Sequence, residues 1–411
     1  MKSKIVFILI FLSAILCWSF LIPNIKADET LWNYFVGEPI EDIAISADGT
    51  SIILFDAKGN LTALDQLLNL NWNNQFPQSR YNVKNIGSVA ISNDGSTIVT
   101  SCLQEHEYGN MAVRCFNQNG DILWSLTHYG DFDRSGIHSS VSVSQDGQLI
   151  ALIGMMNYEK DFFLYDREGT QLWVEDRQSP TEIKISGDGN FILISDNSEP
   201  WQEYPYGQLH LFSKQETLLW SESQDEHYTS IAISYDGSII AAGCEDNKIY
   251  VYNQTGTKIF DYSTLVGTEL FVDVSADGST IALGSNAEKV VLFNQNGAKL
   301  WEYTTSSPVR SVSLSADGSF LAVGCADGMV YHFSKNGSLL WSYKTGDSVE
   351  VSLSNDGQYL AMGSDDSNVY LIPVIIPEFS AWIILPLLMI ATLSIVIHKK
   401  RIPKKVKALG V

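Results

Sequence analysis

A four-residue sequence, Ser-x-Asp-Gly, occurs eight times along the middle of the chain. Successive copies are 39 residues apart at the closest and 52 at the widest. A period of about 40 residues is the sequence signature of β-propeller blades. The chain of 411 residues is therefore predicted to contain one large all-β domain, an eight-bladed β-propeller. The aspartates of the eight copies are Asp48, Asp94, Asp146, Asp188, Asp236, Asp277, Asp317 and Asp356.

The copy between residues 309 and 343 shows how one repeat unit builds a blade. It contains three dipeptides that favour tight turns, Asp317-Gly318, Asp327-Gly328 and Asn336-Gly337. Asp-Gly and Asn-Gly supply the positive φ angles that short β-hairpins require. Each unit is thus predicted to be a four-stranded antiparallel blade that packs both faces on its neighbours. The four predicted strands are Val309–Leu314, Phe320–Gly324, Met329–Phe333 and Leu339–Tyr343.

A large aromatic residue, in most copies preceded by Leu or Ile, forms a second mark that also occurs eight times. We interpret these residues as apolar wedges on the last strand of each blade, packed between adjacent blades. The first one precedes the first Ser-x-Asp-Gly copy, whereas the last copy, 348–372, supplies only three strands. Residues 31–36 are therefore predicted to complete the last blade and close the ring. The aromatic residues are Trp32, Trp72, Trp124, Trp173, Trp220, Phe260, Trp301 and Trp341.

The repeat unit resembles the pyrroloquinoline-quinone-type β-propeller repeat over about residues 31–372. Residues 326–343, ADGMVYHFSKNGSLLWSY, carry that family's Ala-x-Asp-Gly-x-Val-Tyr, Gly and Leu-Trp pattern. The Ser-x-Asp-Gly turns are also similar to WD-type repeats, although the Gly-His and Trp-Asp marks of those repeats are absent. Quinone-dependent dehydrogenases of the first family use an adjacent-cysteine disulfide, calcium and a catalytic Asp. Because the chain has no Cys-Cys pair, no quinone cofactor is expected.

The two ends of the chain differ in composition from the middle. Lys2 and Lys4 precede an apolar run, and Ala27 offers a cleavage site, so residues 1–27 are predicted to be a secretory signal peptide. An uncleaved anchor is the alternative. Residues 381–397 form an uncharged stretch long enough to span a bilayer. The basic tail 398–411 is predicted to be cytoplasmic, which places the propeller, 28–372, on the extracellular face of the membrane.

The linker between the propeller and the apolar stretch, 373–380, contains Pro377, Glu378 and Phe379. With the apolar and basic stretches that follow, this tripeptide resembles the Pro-Glu-Phe-type sorting signals of archaea. The resemblance implies cleavage near the tripeptide by an archaeosortase and attachment of the product to the cell surface. A plain membrane anchor is the alternative, and both leave the propeller outside the cell.

The charge of the middle region limits its possible partners, and its few cysteines limit its possible disulfides. Residues 28–398 carry 17 Lys and Arg against 47 Asp and Glu, a balance that repels nucleic acid and anionic lipid. The cysteines of the middle region are too few for a disulfide scaffold. A bridge between Cys102 and Cys115 across one hairpin is left open, whereas Cys244 and Cys325 are expected to be small buried residues.

Five long connections all fall in blades two to four, at 73–86, 103–110, 125–138, 154–160 and 196–207. The order of strands places them on one face of the propeller. Binding residues favour loops on a rigid scaffold, and aromatic residues are enriched at binding surfaces. We therefore predict a ligand or partner patch on this sector, with tolerated insertions as the alternative. The candidate patch residues are Tyr108, His128, Tyr129, Tyr158, Trp201, Tyr204 and Tyr206.

Two further motifs predict surface sites. Asp131, Asp133 and Ser135 resemble the start of a calcium loop, but Ser142 stands where that loop requires an acid, which favours an ordinary polar loop. Three Asn-x-Ser/Thr sequences fall in predicted turns and are candidate glycosylation sites. Their asparagines are Asn60, Asn253 and Asn336.

The sequence contains no nucleophile–base motif, phosphate-binding loop or dense spacing of zinc ligands. The features together predict a monomeric β-propeller that is anchored at the cell surface and binds a protein or glycan of the cell envelope without catalysis. The alternative is an extracellular enzyme, either a quinoprotein-like oxidoreductase or a hydrolase, that uses the long-loop face of blades two to four.

Overall fold

The computed structural model describes residues 32–76, 86–104, 110–129, 140–156, 159–176, 180–197, 207–264 and 266–373. These residues form 32 β-strands in eight four-stranded antiparallel sheets, which confirms the predicted eight-bladed β-propeller. They belong to one compact unit that ends at Pro373. Within this part of the chain, no helix is long and apolar enough to cross a membrane. The predicted signal peptide and the predicted spanning stretch 381–397 lie outside the described residues.

We number the blades in the order of their Ser-x-Asp-Gly copies. Blade 1 consists of β2 (Ile40–Ile45), β3 (Ser51–Asp56), β4 (Asn60–Asp65) and β5 (Leu70–Gln75). Blade 2 consists of β6 (Ile86–Ile91), β7 (Ile98–Gln104), β8 (Asn110–Phe116) and β9 (Ile122–Tyr129). Blade 3 consists of β10 (Val141–Val143), β11 (Leu149–Met156), β12 (Glu159–Asp166) and β13 (Gln171–Asp176). Blade 4 consists of β14 (Pro180–Ile185), β15 (Phe191–Asn197), β16 (Gly207–Ser213) and β17 (Leu218–Gln224).

Blade 5 consists of β18 (Tyr228–Ile233), β19 (Ile239–Cys244), β20 (Lys248–Asn253) and β21 (Lys258–Ser263). Blade 6 consists of β22 (Leu270–Val274), β23 (Thr280–Ser285), β24 (Lys289–Asn294) and β25 (Lys299–Thr304). Blade 7 consists of β26 (Val309–Leu314), β27 (Phe320–Cys325), β28 (Met329–Ser334) and β29 (Leu339–Lys344). Blade 8 consists of β30 (Val349–Leu353), β31 (Tyr359–Ser364), β32 (Asn368–Pro373) and, from the other end of the chain, β1 (Trp32–Phe35).

The ring closes in blade 8, between the two ends of the described chain. β1 pairs antiparallel with β32, and the register places Trp32 opposite Leu371 and Phe35 opposite Asn368. Tyr34 packs on the hydrophobic cluster that blades 8 and 1 share. β1 thereby covers the outer edge of β32, which would otherwise present unpaired backbone groups. The predicted closure by the N-terminal strand is confirmed.

The Ser-x-Asp-Gly sequence recurs because its side chains hold the first turn of each blade. In blade 7 the Ser315 hydroxyl donates to Asp317 at 2.9 Å and accepts the Phe320 backbone N–H at 3.0 Å. The Asp317 carboxylate also accepts the Ser319 backbone N–H at 2.9 Å. Gly318 takes a φ of 64°, in the left-handed region. The same three hydrogen bonds recur in the other seven copies.

The second residues of the eight motifs belong to a closed circle of backbone hydrogen bonds that ties every blade to the next. The Ala316 N–H donates to the Asn355 carbonyl at 2.9 Å. The Asn355 N–H donates to the Ala47 carbonyl, and the Ala47 N–H to the Asn93 carbonyl, both at 3.0 Å. The motif residue x therefore contributes through its backbone, which explains why its side chain varies. The circle continues through Gln145, Gly187, Tyr235 and Ala276, with Asp188 and Asp277 as donors in two blades.

The repeated aromatic residue joins most blades to the third turn of the next. Trp301 Nε1 donates to the Lys335 carbonyl at 2.9 Å. Its ring packs against Gly337, where an added Cβ would lie 2.7 Å from the indole and the φ is 83°. The predicted packing between blades is therefore confirmed, and the Gly of the third turn leaves space for the ring. The same donation to the next blade is made by Trp72, Trp124, Trp173 and Trp220.

Trp341 differs from these tryptophans because of the way the ring closes. Its neighbour is blade 8, in which no turn joins β32 to β1, since the two strands come from opposite ends of the chain. In blades 1–4 and 6 the indole N–H donates to a carbonyl in the third turn of the next blade. The described part of blade 8 contains no such turn, so Trp341 has no equivalent acceptor. Trp341 Nε1 is buried and has no hydrogen-bond partner among the described residues.

The structure contradicts a Cys102–Cys115 bridge. Cys102 pairs opposite Ala112, so Cys115 is out of register by three residues and its side chain lies on the other face of the sheet. Cys102 packs towards blade 1 and Cys115 towards blade 3. Cys244 and Cys325 are fully buried, as predicted, and all four thiols are free.

Candidate functional site

The strand order gives the propeller two chemically different ends. The first turns of all blades and the third turns of blades 1–7 lie at one end, which we call the turn face. The second turns and the links between blades lie at the other end, which we call the linker face. The strands that flank the five predicted long connections all end at the linker face. The described ends of the predicted connections therefore lie at this end of the propeller.

All five predicted connections are too long, because each overlaps the ends of the strands that flank it, and two overlap them by five residues. In the segment 154–160, β11 continues to Met156 and β12 begins at Glu159, so five of the seven residues are strand. The connection predicted at 125–138 begins too early, because β9 continues to Tyr129. The physical reason is that neighbouring strands extend together, so their backbone groups remain paired beyond the usual blade length.

The second hairpins of blades 2, 3 and 4 are longer than those of the other blades. Their strands, β7, β8, β11, β12, β15 and β16, have seven or eight residues. The corresponding strands of blades 1 and 5–8 all have six. Because the Ser-x-Asp-Gly turns fix the opposite ends of these strands, the extra residues lie at the linker face. One or two extra residues lengthen a hairpin by about 3–7 Å.

The structure places only part of the predicted patch. His128 and Tyr129 are the last two residues of β9, and Tyr129 pairs with Asn110. Asn110 also pairs with Gln104, so the backbone of Tyr129 adjoins the hairpin that carries the connection 105–109. The remaining patch residues lie outside the described residues, and for them the patch stays a prediction. They are Tyr108, Tyr158, Trp201, Tyr204 and Tyr206.

The candidate calcium ligands Asp131, Asp133 and Ser135 and the sorting tripeptide Pro377, Glu378 and Phe379 also fall outside the described ranges. Within those ranges, no group of three or more His, Cys, Asp or Glu side chains could hold a metal ion.

The candidate glycosylation sites occupy turns or strand ends. Asn60 begins β4, and its Nδ2 donates to the Asp56 carboxylate at 2.7 Å. Asn253 ends β20, where its side-chain oxygen accepts the Thr255 backbone N–H at 3.0 Å. Asn336 is exposed in the third turn of blade 7. Of the three, Asn336 presents its side chain most openly to solvent.

Side chains of the motif residues x narrow the central channel at the turn face. Asn93 Nδ2 donates to Gln145 Oε1 at 2.8 Å, and Asn355 Nδ2 donates to Asn93 Oδ1 at 3.2 Å. The Tyr235 ring lies over Gly187, where an added Cβ would be 2.3 Å from the ring. Four polar side chains thus meet at this end of the channel.

Polar side chains also connect the innermost strands around the channel wall. Glu182 Oε2 accepts the Ile231 backbone N–H at 2.9 Å, and Asp273 Oδ2 accepts the Leu314 backbone N–H at 2.7 Å. These carboxylates therefore satisfy backbone donors that have no strand partner across the blade boundary. The same role falls to Asp42, Ser140, Ser142, Ser230, Ser311 and Ser313.

A cavity of about 440 Å³ lies between the innermost strands of blades 4 to 8. Lys184 Nζ lies 3.1 Å from Glu182 Oε1. Arg310 Nη1 lies 3.4 Å from Glu269 Oε2. The wall of the cavity therefore carries both acidic and basic side chains, and its basic side chains form ion pairs. The charged residues that line the cavity are Glu182, Lys184, Asp273, Arg310 and Glu350.

Burial controls the protonation of two of these carboxyl groups. Burial raises the pKa of Asp273 to about 6, although backbone hydrogen bonds and Lys184 act in the opposite direction. Burial and then the nearby Asp42 carboxylate raise the pKa of Glu350 to about 8, against the lowering effect of Arg310. At pH 7, Asp273 is therefore mainly ionised, whereas Glu350 mainly carries its proton.

Sequence reasoning missed this cavity because its lining comes from five blades. One signal was present. Asp42, Glu182 and Glu350 each stand four residues before the Ser of a Ser-x-Asp-Gly motif. A carboxylate that recurs at one position of the innermost strand marks a wall of the channel rather than a solvated turn.

Comparisons with known families agree with this geometry. Residues 275–353 match the anaphase-promoting complex subunit 4 WD40 domain, and residues 220–253 match the WD domain, G-beta repeat. Over these two segments, the repeats of the β-propeller are similar to WD40 repeats. The two matches extend from the last strand of blade 4 into blade 8. No curated protein matches the chain by sequence.

Solved structures show the same fold at low sequence identity. The C-terminal WD40 domain of Sif2 has a TM-score of 0.64 at 14% identity, and the computationally designed Ika8 protein has 0.63 at 16%. Each comparison covers 84% of this chain and 98% of the other chain. BamB from Moraxella catarrhalis has a TM-score of 0.57 at 18% identity, over 83% and 98% of the two chains. At these identities the likeness shows the fold alone.

Proposed function

We propose that this WD40-type propeller is a non-catalytic binding module at the extracellular face of the cell membrane, where it engages a protein or glycan of the cell envelope. The observation that carries the proposal is the lengthening of the second hairpins of blades 2–4 at the linker face. WD40-type propellers commonly act as interaction scaffolds. A sector that projects from an otherwise regular ring is suited to partner recognition.

The propeller supplies a rigid base for that sector. The circle of backbone hydrogen bonds and the tryptophans that donate to the next blade hold neighbouring blades together. Partner recognition on such a base costs less ordering free energy than recognition by a flexible chain. The surplus of 47 acidic over 17 basic side chains in residues 28–398 favours a basic partner, because complementary charge accelerates association.

Replacing Trp201 and Tyr204 together by Ala is expected to reduce partner capture at least tenfold. The physical reason is that a few buried Trp and Tyr side chains carry most of the binding energy at protein interfaces. The measurement is cross-linking of the full-length protein in its native membrane, followed by affinity purification and quantitative mass spectrometry. Phe35→Ala is the matched control, since Phe35 is an aromatic side chain, 70% exposed, on β1 and outside the sector.

The control should capture the same partners as the wild type. If the double variant captures as much partner as the wild type does, the sector of blades 2–4 is not the partner surface. If the wild type turns over a substrate and the double variant does not, the result would instead support the enzyme alternative.

A further inference from the structure

We propose that the central cavity is a binding site for a neutral polyhydroxylated ligand, such as the end of a sugar chain. The cavity is bounded by the innermost strands of blades 4 to 8. The partner surface proposed above consists of hairpin ends on blades 2–4. The two sites are separate, and either can exist without the other.

The size of the cavity suits a small ligand, and polar side chains lie at the turn face of the channel. Its volume of about 440 Å³ falls within the range of small-molecule sites. Asn93, Gln145, Tyr235 and Asn355 narrow the channel at the turn face, where the two asparagines and Gln145 bond to one another.

The charges on the wall are already paired within the protein. Lys184 pairs with Glu182, and Arg310 pairs with Glu269, at 3.1 and 3.4 Å. Asp273 accepts two backbone N–H groups, at 2.7 and 2.8 Å. An ionic ligand would have to compete with these partners, whereas a neutral ligand adds hydrogen bonds without breaking them. The wall thus favours a neutral polar ligand over an ion.

Glu350 provides the strongest argument for hydroxyl groups on the ligand. Glu350 lines the cavity beside Arg310 and Ser311, and, besides burial, the carboxylates of Asp42 and Asp365 both raise the pKa of its carboxyl group. Because burial raises its pKa to about 8, it carries a proton at pH 7. A protonated carboxyl group can both donate and accept a hydrogen bond, which is the capacity that matches a hydroxyl group.

The remaining lining groups complete this match. Lys184 and Arg310 have more N–H donors than their ion pairs use, and the carboxylates of Glu182 and Asp273 have further lone pairs. Phe271 adds an apolar ring to the same wall. Each hydroxyl of a sugar needs both a donor and an acceptor, and its C–H face needs an apolar surface. The cavity offers all three.

The test is calorimetric titration of the full-length protein in detergent. The probes are glucose, galactose, mannose and N-acetylglucosamine, with putrescine as a cationic and glutamate as an anionic comparison. We expect at least one neutral sugar to bind. Glu350→Gln should retain affinity within about threefold, because an amide also donates and accepts. Glu350→Leu should weaken binding at least about tenfold, because it leaves a ligand hydroxyl unpaired.

Two further variants keep the result interpretable. Glu245→Leu removes an exposed carboxylate of the linker face that does not line the cavity, and it should bind as the wild type does. Arg310→Met provides a second loss-of-binding variant if Glu350→Leu melts early. Failure of every sugar to bind would overturn the proposal, as would sugar binding that neither cavity variant changes. Binding of putrescine alone, lost in Glu350→Gln, would show a cation site instead. None of these outcomes depends on the Trp201 and Tyr204 result.

Discussion

Replacement of His332 by Leu is expected to stabilise the propeller, most strongly in acid. His332 is fully buried between the rings of Phe320 and Trp341, with centroid separations of 5.4 and 5.3 Å. Neither ring nitrogen has a hydrogen-bond partner among the described residues. A buried polar group without a partner costs about 1–3 kcal/mol. The register shows that the same position, opposite the repeated aromatic residue, is occupied elsewhere by Leu211, Leu292 and Leu371.

The pH dependence follows from the direction of the pKa change. Burial lowers the pKa of His332 from its usual 6.5 to about 4. Between these values the unfolded chain binds a proton that the folded chain does not bind. Stability is therefore lost as the pH falls from 6.5 towards 4, and the loss levels off below pH 4. A pKa difference of this size corresponds to ~3 kcal/mol.

The measurement is urea unfolding at pH 7.5 and pH 4.5. His332→Leu should gain about 1 kcal/mol at the higher pH and about 3 kcal/mol at the lower pH. The control is His227→Leu, which removes a partly exposed histidine at the linker face and should leave the acid sensitivity in place. If wild type and His332→Leu lose the same stability between the two pH values, the buried neutral imidazole is not the cause.

Deletion of residues 32–36 is expected to destabilise the propeller by about 6 kcal/mol. The deletion removes four backbone pairings with β32, worth about 1 kcal/mol per hydrogen bond. It also removes the packing of Tyr34 on the cluster shared by blades 8 and 1, worth about 2 kcal/mol. The exposed edge of β32 then becomes a template for pairing between chains. Lower thermal stability should therefore be accompanied by aggregation.

Thermal unfolding and light scattering measure these two effects. Deletion of residues 28–31, which precede β1, is the matched control and should behave as the intact chain. Within β1, Tyr34→Ala should lower the melting temperature, whereas Phe35→Ala should not, because Phe35 is 70% exposed. An unchanged melting temperature after deletion of 32–36 would mean that blade 8 is stable with three strands.

The fold could be predicted from the sequence because each repeated motif has one local physical role. Ser315 and Asp317 hold a turn through bonds within six residues, so the turn can be recognised without knowledge of the rest of the molecule. The closure by β1 followed from matching two sets of marks. The strand limits in blades 2–4 could not be predicted, since Met156 and Glu159 remain paired only because their neighbours do.

The cavity and the buried histidine were beyond sequence reasoning for a different reason. Glu350, Lys184 and Arg310 are far apart in the chain and meet only around the channel. His332 occupies a position that Leu fills in other blades, and nothing local shows that it faces blade 8 rather than solvent. The sequence left a Cys102–Cys115 bridge open because hairpin register, not proximity in sequence, decides which face a side chain occupies.

Disulfide trapping of β1 against β32 tests the closed eight-bladed ring most directly. The register pairs Phe35 with Asn368, so Phe35→Cys with Asn368→Cys should form a disulfide under mild oxidation. The matched control pairs Phe35→Cys with Lys289→Cys, which lies at the start of β24 in blade 6. After proteolysis, mass spectrometry should find the N-terminal and C-terminal peptides joined only in the first pair. Peptides that stay separate in the first pair, or join equally well in the control, would contradict closure of the propeller by its N-terminal strand.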